Sequence, residues 1–323
     1  MPVYAFIFPG QGSQSVGMGR DLAAAFAPAR EVFGEVDDTL GQRLSKLMFD
    51  GPADQLMLTE NAQPALMAMS MAVVRVLARE GGVLVHERAA LVAGHSLGEY
   101  SALAASEAFD LATVARLLRL RGLAMQAAVP PGEGAMAALL GVEPAQAAEI
   151  CAEAAVWRRD GQPDLRQVVQ VANDNGGGQV VISGHKDAVD RAVEIAKARG
   201  VKRAMVLPVS APFHCSLMAP AADKMEAALA EATLREPVVP LLANVTAAKT
   251  SDPAVIKAQL VRQVTGTVRW RESVIAAGAM GVDAFVELGA GKVLSGLVKR
   301  ILPDASMWNA GTPAEIEALQ KVF

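Results

Sequence analysis

The chain has little cysteine, few aromatic residues and no large excess of charge, and each shortage excludes a class of protein. Cys151 and Cys215 are the only cysteines and form no Cys-x-x-Cys pair, so neither a disulfide framework nor a cysteine-rich zinc site is indicated. Aromatic residues make up 4% of the 323 residues, which favours helices packed on a sheet over an all-β sandwich. The net charge of −4 provides no general attraction to nucleic acid or anionic membrane.

Signals for export, membrane insertion and metal binding are also missing. The N-terminus lacks the basic region and cleavage site of a secretory signal, and no apolar run is long enough to span a bilayer. The four histidines show no metal-ligand spacing such as His-Glu-x-x-His, so no metal site is predicted. We therefore expect a cytoplasmic protein that binds neither membrane nor nucleic acid.

One short stretch carries the pattern of a catalytic turn. An apolar run over 89–93 is followed by Gly94-His95-Ser96-Leu97-Gly98, which has the form Gly-x-Ser-x-Gly. In a nucleophile elbow of this form, a strand turns sharply into a helix and leaves the serine hydroxyl exposed. A strand-to-helix turn whose serine merely starts a helix would have the same five residues, so the pentapeptide alone leaves both interpretations open.

The chain length and its pattern of elements predict an α/β fold with two domains. Pro130-Pro131-Gly132 marks a candidate boundary. Beyond it the order βαββαβ is typical of a ferredoxin-like unit, with strands over 135–140, 168–172, 180–183 and 203–209 and helices over 144–155 and 187–199. We predict a larger, α/β-hydrolase-like domain with a parallel-sheet core over 1–132 and 208–323, and a smaller inserted domain over 133–207. The polar segment 157–166 is predicted to be a loop insertion.

A serine nucleophile needs a base and donors for an oxyanion. Among the histidines, His86 is expected at the surface, His95 in the turn and His185 at a helix cap. His214 follows the predicted small domain and can face a cleft, although a purely structural histidine fits equally well. Arg116, Arg119 and Arg121 share one predicted helix, and the pattern does not choose among them.

Two glycine-rich segments follow predicted strands. The segment 11–19 can present backbone N–H groups to an oxygen anion, but a flexible connection has the same composition. The segment Gly289-Ala290-Gly291-Lys292 can bind an anion at a helix N-terminus. It lacks the Gly-x-Gly-x-x-Gly and Walker patterns, so turn geometry is favoured there.

Taken together, six motifs in order resemble the malonyl-CoA:acyl carrier protein transacylases of bacterial fatty acid synthesis. They are Phe8-Pro9-Gly10-Gln11-Gly12-Ser13-Gln14, Gly94-His95-Ser96-Leu97-Gly98-Glu99-Tyr100, Arg121-Gly122-Leu123-Ala124-Met125-Gln126, Val171-Ala172-Asn173-Asp174-Asn175, Pro212-Phe213-His214-Cys215-Ser216-Leu217-Met218, and Gln263 ahead of Val268-Arg269-Trp270. Each is weak alone, but the ordered set is specific and spans nearly the whole chain.

The resemblance implies a role for each matching residue. Ser96 would carry the acyl group and His214 would act as its base, with Gln263 beside the histidine in place of a carboxylate. Backbone N–H groups of Gln11 and Leu97 would form the oxyanion hole, and Arg121 would bind the malonyl carboxylate.

Three further positions complete the implied site. Asn173 and Asn175 would line the cleft from the small domain, although an Asn-Asp-Asn-Gly turn would look similar for conformational reasons. Phe213 would disfavour an α-methyl group and so favour malonyl over methylmalonyl substrates.

The implied activity is transfer of a malonyl group from malonyl-CoA to the phosphopantetheine thiol of acyl carrier protein, with release of coenzyme A and without a cofactor. We expect a monomer. Alternatives are the malonyl transferase of a malonate decarboxylase or polyketide system, a serine hydrolase, which shares Gly-x-Ser-x-Gly, and a non-catalytic carrier-binding module.

Overall fold

A computed structural model describes residues 2–159 and 162–323. The strands are β1 (Tyr4–Phe8), β2 (Ala89–Gly94), β3 (Gly134–Leu140), β4 (Val156–Arg159), β5 (Gln162–Arg166), β6 (Val169–Asp174), β7 (Gln179–His185), β8 (Arg203–Val206), β9 (Leu241–Leu242), β10 (Lys249–Thr250), β11 (Ala284–Leu288) and β12 (Ser306–Ala310).

The α-helices are α1 (Arg20–Ala25), α2 (Ala27–Leu40), α3 (Leu44–Asp50), α4 (Ala53–Met57), α5 (Thr59–Gly81), α6 (Val85–Arg88), α7 (Gly98–Ala105), α8 (Leu111–Ala127), α9 (Pro144–Ala154), α10 (Lys186–Ala198), α11 (Ala219–Glu231), α12 (Pro253–Thr265), α13 (Trp270–Ala279), α14 (Val293–Ile301) and α15 (Pro313–Gln320). None of the helices in the described ranges is long and apolar enough to cross a membrane.

The larger sheet has six strands in the order β10-β9-β2-β1-β11-β12. Its strands are parallel except for β10, which pairs antiparallel with β9. Helices cover both faces, so β1 reads as a short apolar run rather than an alternating one. The predicted parallel-sheet core is confirmed, whereas β12 and α13 carried no signal that the sequence analysis used.

A separate antiparallel sheet has the order β6-β7-β3-β8 and carries α9 and α10. The predicted βαββαβ pattern is therefore confirmed as an element order. Within it, the predicted loop over 157–166 is wrong for the part that the structure describes. Val156 pairs with Arg166 and Trp157 with Leu165 in a two-stranded hairpin, while residues 160–161 lie outside the described residues. Polar composition indicated a loop because the hairpin residues whose exposure is described, 156–157 and 164–166, are not buried and so require no alternation. The domain boundaries at 132/133 and 207/208 stay a prediction.

The two sheets are joined along β6. Val268 donates its N–H to the Ala172 carbonyl at 2.9 Å and accepts from the Asp174 N–H at 3.0 Å, which extends β6 onto the segment before α13. The buried Asp174 carboxylate accepts from Arg271 Nε at 2.8 Å. These bonds hold the end of β6 against the carboxyl ends of the larger sheet.

The predicted elbow connects β2 to α7. Ser96 has φ of 54°, in the left-handed region that L-residues seldom occupy. A Cβ at Gly94 would lie 1.9 Å from the Gly98 carbonyl carbon, and one at Gly98 would lie 2.2 Å from the Phe8 carbonyl oxygen. Both glycines are therefore required by close backbone approach, which is the mechanical reason for Gly-x-Ser-x-Gly.

This contact predicts opposite effects for two glycine substitutions. Gly94→Ala should lower the free energy of unfolding by about 1–3 kcal/mol, because backbone must move to admit the methyl group. Gly34→Ala is the control: Gly34 lies inside α2 with nothing within 4 Å of the added Cβ, so it should raise the free energy by about 0.5–1 kcal/mol. Urea unfolding of both variants measures this. A Gly94→Ala protein as stable as wild type would contradict the assigned constraint.

Candidate active site

A cavity of about 520 Å³ opens where the carboxyl ends of β1 and β2 meet the end of β6. Ligands of open parallel sheets bind at this edge. Eight of the nine predicted site residues line the cavity: Gln11, Ser96, Leu97, Arg121, Asn173, Asn175, Phe213 and His214. Gln263 is fully buried behind them.

Ser96 and His214 face each other in this cavity. The Ser96 hydroxyl lies 2.8 Å from His214 Nε2, and His214 Nδ1 lies 2.9 Å from the main-chain carbonyl oxygen of Gln263. A carbonyl oxygen can only accept, so Nδ1 carries the proton and Nε2 is left free to accept from the serine. The backbone therefore selects the tautomer that a general base requires.

His214 is held in its neutral form. Burial, followed by the positive charge of Arg121, lowers the pKa of His214 to about 3. The Nδ1 partner found among the described residues is a neutral carbonyl, whose hydrogen bond opposes this lowering of the pKa only in part. The imidazole is thus a free base over the ordinary pH range.

Of the three candidate arginines, only Arg121 reaches the serine. One of its terminal nitrogens lies 3.1 Å from Ser96 Oγ and 2.8 Å from Gln263 Oε1, and the other lies 2.8 Å from Gln63 Oε1. Its Nε finds no hydrogen-bond partner among the described residues. Since neutral amide oxygens hold this buried cation, its charge is left to attract an anion in the cavity.

The other two arginines lie elsewhere. Arg119 donates to the Glu60 carbonyl at 2.8 Å and to Asn61 Oδ1 at 2.6 Å, which ties α8 to α5. Arg116 is exposed. The three arginines therefore differ in which side of α8 they occupy, and spacing in the sequence alone did not distinguish them.

Gln263 lies beside the histidine, but it is the main chain that makes the contact. Its side-chain amide instead donates to the Ser96 carbonyl at 2.9 Å, to Asn244 Oδ1 at 3.3 Å and to the Glu99 carboxyl, and it accepts from Arg121. This one residue thus contacts the serine, the base and the cation.

Sequence reasoning missed two buried polar residues below the serine, Glu99 and Asn244. Burial raises the pKa of Glu99 to about 7, opposed by the hydrogen bond from Gln263. Asn244 contacts the elbow backbone on both sides of His95. Charge within the otherwise apolar start of α7 was a signal for Glu99, whereas nothing around Asn244 distinguishes it from a turn residue.

The two predicted oxyanion donors are the backbone N–H groups of Gln11 and Leu97. Within residues 2–159 and 162–323, the backbone N–H groups of Gln11 and Leu97 have no hydrogen-bond acceptor, although both residues line the cavity. The Gln11 side chain accepts from Thr59 Oγ1 at 2.6 Å, which anchors the loop after β1 to α5. The loop is therefore held in place rather than being a flexible connection.

The small sheet contributes Asn173 and Asn175 to the cavity wall. Asn175 Oδ1 lies 2.9 Å from His95 Nε2, and the His95 ring packs against Trp270 at 5.8 Å between centroids. Burial lowers the pKa of His95. His95 thus shapes the turn and joins the elbow to β6.

Two remaining histidines are remote from the serine. His86 is exposed, and His185 precedes α10, where its Nδ1 accepts from the Val168 N–H at 3.0 Å. None of the hydrogen bonds described for these two histidines involves a residue that lines the cavity. The predicted surface and helix-end positions therefore fit.

A protein carboxylate binds the N-terminus of the helix that follows the glycine-rich turn at 289–292. The buried Glu287 carboxylate accepts from the backbone N–H groups of Leu294 at 3.1 Å and Ser295 at 2.7 Å. A protein carboxylate therefore holds the position that an anionic ligand would need, in agreement with the turn interpretation. No cluster of three metal-binding side chains occurs in the described part of the chain.

Comparison with known proteins places this geometry in a family. A family model described as "Acyl transferase domain" matches residues 5–311. The malonyl CoA-acyl carrier protein transacylase of Escherichia coli (strain K12) is 46% identical over 318 residues, which cover 98% of this chain and 99% of that protein. The Bacillus subtilis (strain 168) protein of the same name is 45% identical, with 93% and 91% covered.

Solved structures agree. The crystal structure of the acyl-carrier-protein-S-malonyltransferase from Bartonella henselae has a TM-score of 0.94 at 54% identity and covers 99% of both chains. A malonyl-transacylase in complex with a type II PKS acyl-carrier protein has a TM-score of 0.93 at 41% identity, covering 99% of this chain and 100% of that one. The chain therefore belongs to the acyl transferase domain family and, within it, to the malonyl CoA-acyl carrier protein transacylases.

Proposed function

We propose that this protein transfers a malonyl group from malonyl-CoA to the phosphopantetheine thiol of an acyl carrier protein through a malonyl ester on Ser96. The observation that carries the proposal is the 2.8 Å contact between Ser96 Oγ and the neutral His214, with Arg121 3.1 Å from the same oxygen. A nucleophile, its base and a buried cation thus meet at one point.

In the first half-reaction, Ser96 Oγ attacks the thioester carbonyl and His214 Nε2 accepts the hydroxyl proton. The tetrahedral oxyanion is stabilised by the free N–H groups of Gln11 and Leu97. Collapse breaks the C–S bond, and the coenzyme A thiolate takes the proton from His214. In the second half-reaction the carrier thiol gives its proton to His214 and attacks the ester carbonyl. The C–O bond to Ser96 then breaks, and His214 returns the proton to Ser96 Oγ.

The neutral partner of His214 suits this reaction. A carboxylate would stabilise the imidazolium, as in a serine protease triad, where a poor amine must leave. A thiolate is a far better leaving group, since thiol pKa values are about 8.5. A main-chain carbonyl that fixes the tautomer without adding charge is therefore sufficient for thioester exchange.

Arg121 binds the free carboxylate of the malonyl group. Its guanidinium lines the cavity 3.1 Å from Ser96 Oγ, so it can offer N–H donors to a planar carboxylate bound there. Phe213 adds bulk near the α-carbon and Asn173 and Asn175 supply polar wall, which together favour malonyl over methylmalonyl groups. No step requires a metal or a cofactor.

Acyl carrier protein and coenzyme A are the proposed partners, and the chain is proposed to act as a cytoplasmic monomer. The similarity to a transacylase bound to a type II PKS carrier supports a polyketide carrier as a second acceptor to be tested beside that of fatty acid synthesis. Relative kcat/KM for the two carriers decides between them.

The acyl-enzyme predicts a specific mass change. Wild-type protein mixed with malonyl-CoA should gain one malonyl group in intact-mass measurement, and Ser96→Ala should gain none. Ser210→Ala is the control, because this serine lines the same cavity but its hydroxyl contacts Gln126. Retention of the label in Ser96→Ala, or hydrolysis to free malonate without a thiol acceptor, would contradict the proposal.

The proposed binding of the malonyl carboxylate by Arg121 predicts a change in selectivity between acyl donors when this residue is replaced. Arg121→Ala should lower kcat/KM for malonyl-CoA by ~10–100-fold, the loss expected for hydrogen bonds to a charged group. Transfer from acetyl-CoA, which has no carboxylate, should fall much less. Arg116→Ala, an exposed residue of the same helix, should leave both unchanged. Equal losses of kcat/KM for malonyl-CoA and acetyl-CoA in Arg121→Ala would contradict the proposed binding of the carboxylate by Arg121.

The lowered pKa of His214 predicts an unusual pH profile. An ordinary histidine, with a pKa of about 6.5, loses half of its free base at that pH. Because burial lowers the pKa of His214 to about 3, the second-order rate constant for acylation should not fall with a midpoint near 6.5 as the pH is lowered from about 8 to about 6.

The acylation rate is measured by rapid quench, with Glu99→Gln beside the wild type because burial raises the pKa of Glu99 to about 7. Any change near pH 7 that disappears in Glu99→Gln belongs to that carboxyl. A midpoint near 6.5 that persists in both proteins would show that the base titrates normally.

A further inference from the structure

Asn244 follows β9 and is fully buried below the elbow. Its Oδ1 accepts from the Ser96 N–H at 2.8 Å, and its Nδ2 donates to the Gly94 carbonyl at 2.7 Å. We propose that Asn244 is a positioning residue for the nucleophile. Its side-chain amide hydrogen-bonds the backbone on both sides of His95 and so fixes Ser96 in its left-handed conformation. The inference rests on the proposed role of Ser96.

The elbow needs such a residue because its conformation is strained. A non-glycine residue in the left-handed region costs of order 1 kcal/mol or more and persists only where its surroundings hold it. Ser96 has φ of 54°, and its N–H and the Gly94 carbonyl bond to Asn244 rather than to the sheet. A primary amide suits this gap because it offers one donor and one acceptor side by side.

The hydrogen bonds around Ser96 also orient the proposed oxyanion donor, the Leu97 N–H. Gln263 Nε2 donates to the Ser96 carbonyl and lies 3.3 Å from Asn244 Oδ1, so the two amides hold opposite ends of the serine. In a trans peptide the C=O and the following N–H point in opposite directions. Binding the Ser96 carbonyl on the buried side therefore turns the Leu97 N–H toward the cavity.

Asn244 acts on the serine and not on the substrate. It does not line the cavity, and the side-chain contacts described for it are to the elbow and to Gln263. Its loss should therefore lower the rate of acylation without weakening binding. The loss should be equal for malonyl-CoA and acetyl-CoA, unlike the selective loss expected for Arg121→Ala.

The test uses Asn244→Ala and the isosteric Asn244→Asp, which keeps the acceptor for Ser96 but places oxygen against the Gly94 carbonyl. Both should lower kcat by ~10–100-fold, the scale of a misplaced reacting atom, with KM for both acyl donors nearly unchanged. Gln259→Glu is the matched control: Gln259 is a buried amide of α12 that reaches Thr246 Oγ1 at 3.5 Å, away from the serine. Its kcat should be retained.

The pH profile of Asn244→Asp gives a readout that a general loss of stability would not produce. Protonation supplies the introduced carboxyl with an O–H donor for Gly94, so kcat should recover toward acid pH in Asn244→Asp and not in the wild type. The charged groups nearest this position are Glu99, which accepts from the Asn244 N–H at 3.4 Å, and Arg269, whose guanidinium reaches the Val245 carbonyl at 3.3 Å. Arg121 and His214 lie beyond Gln263 and Ser96.

Folded Asn244 variants with wild-type kcat, or losses confined to malonyl-CoA, would overturn the inference, as would equal losses in Gln259→Glu. If Asn244→Ala does not fold, the profile of Asn244→Asp decides, and a profile parallel to wild type counts against the role. Failure of the proposed function is a different result, since wild-type protein would then remain unlabelled by malonyl-CoA.

Discussion

The close contact of Gly94 with Gly98 is the constraint on which the site depends. Because neither residue has a Cβ, the end of β2 and the start of α7 come together and Ser96 is forced into the left-handed region at their junction. The same turn leaves the Leu97 N–H facing the cavity. The positions of Ser96 and of the proposed oxyanion donor therefore both depend on this close approach of the backbone.

Around the turn, neutral oxygen atoms are the hydrogen-bond partners of the cation and the base. Arg121 is held by the amide oxygens of Gln63 and Gln263, and His214 by a main-chain carbonyl. The carboxyl of this network, Glu99, contacts Gln263 rather than the cation or the base, and its pKa is raised to about 7. A carboxylate placed directly on Arg121 would neutralise the charge that a malonyl carboxylate needs, and one placed on His214 would favour the imidazolium.

The two sheets are joined along β6, and this junction positions the part of the cavity wall that the smaller sheet contributes. Pairing of Val268 with the strand and the ion pair of Arg271 with Asp174 fix its end, so that Asn175 meets His95 of the elbow. The cavity is thus enclosed between elements that are far apart in sequence. Acyl transfer and not hydrolysis is the proposed outcome, in accord with the transacylases that this chain resembles over its full length.

The sequence by itself determined the parallel-sheet core, the βαββαβ order and the elbow, because strand periodicity and paired glycines are local signals. Its ordered motifs also determined the family. Only the tertiary structure decided which arginine reaches the serine, that Gln263 presents its main chain to His214, and that Glu99 and Asn244 lie beneath the turn. Those contacts join residues separated by up to 150 positions, so the distances between them depend on the packing of helices on the sheet and leave no periodic trace in the chain.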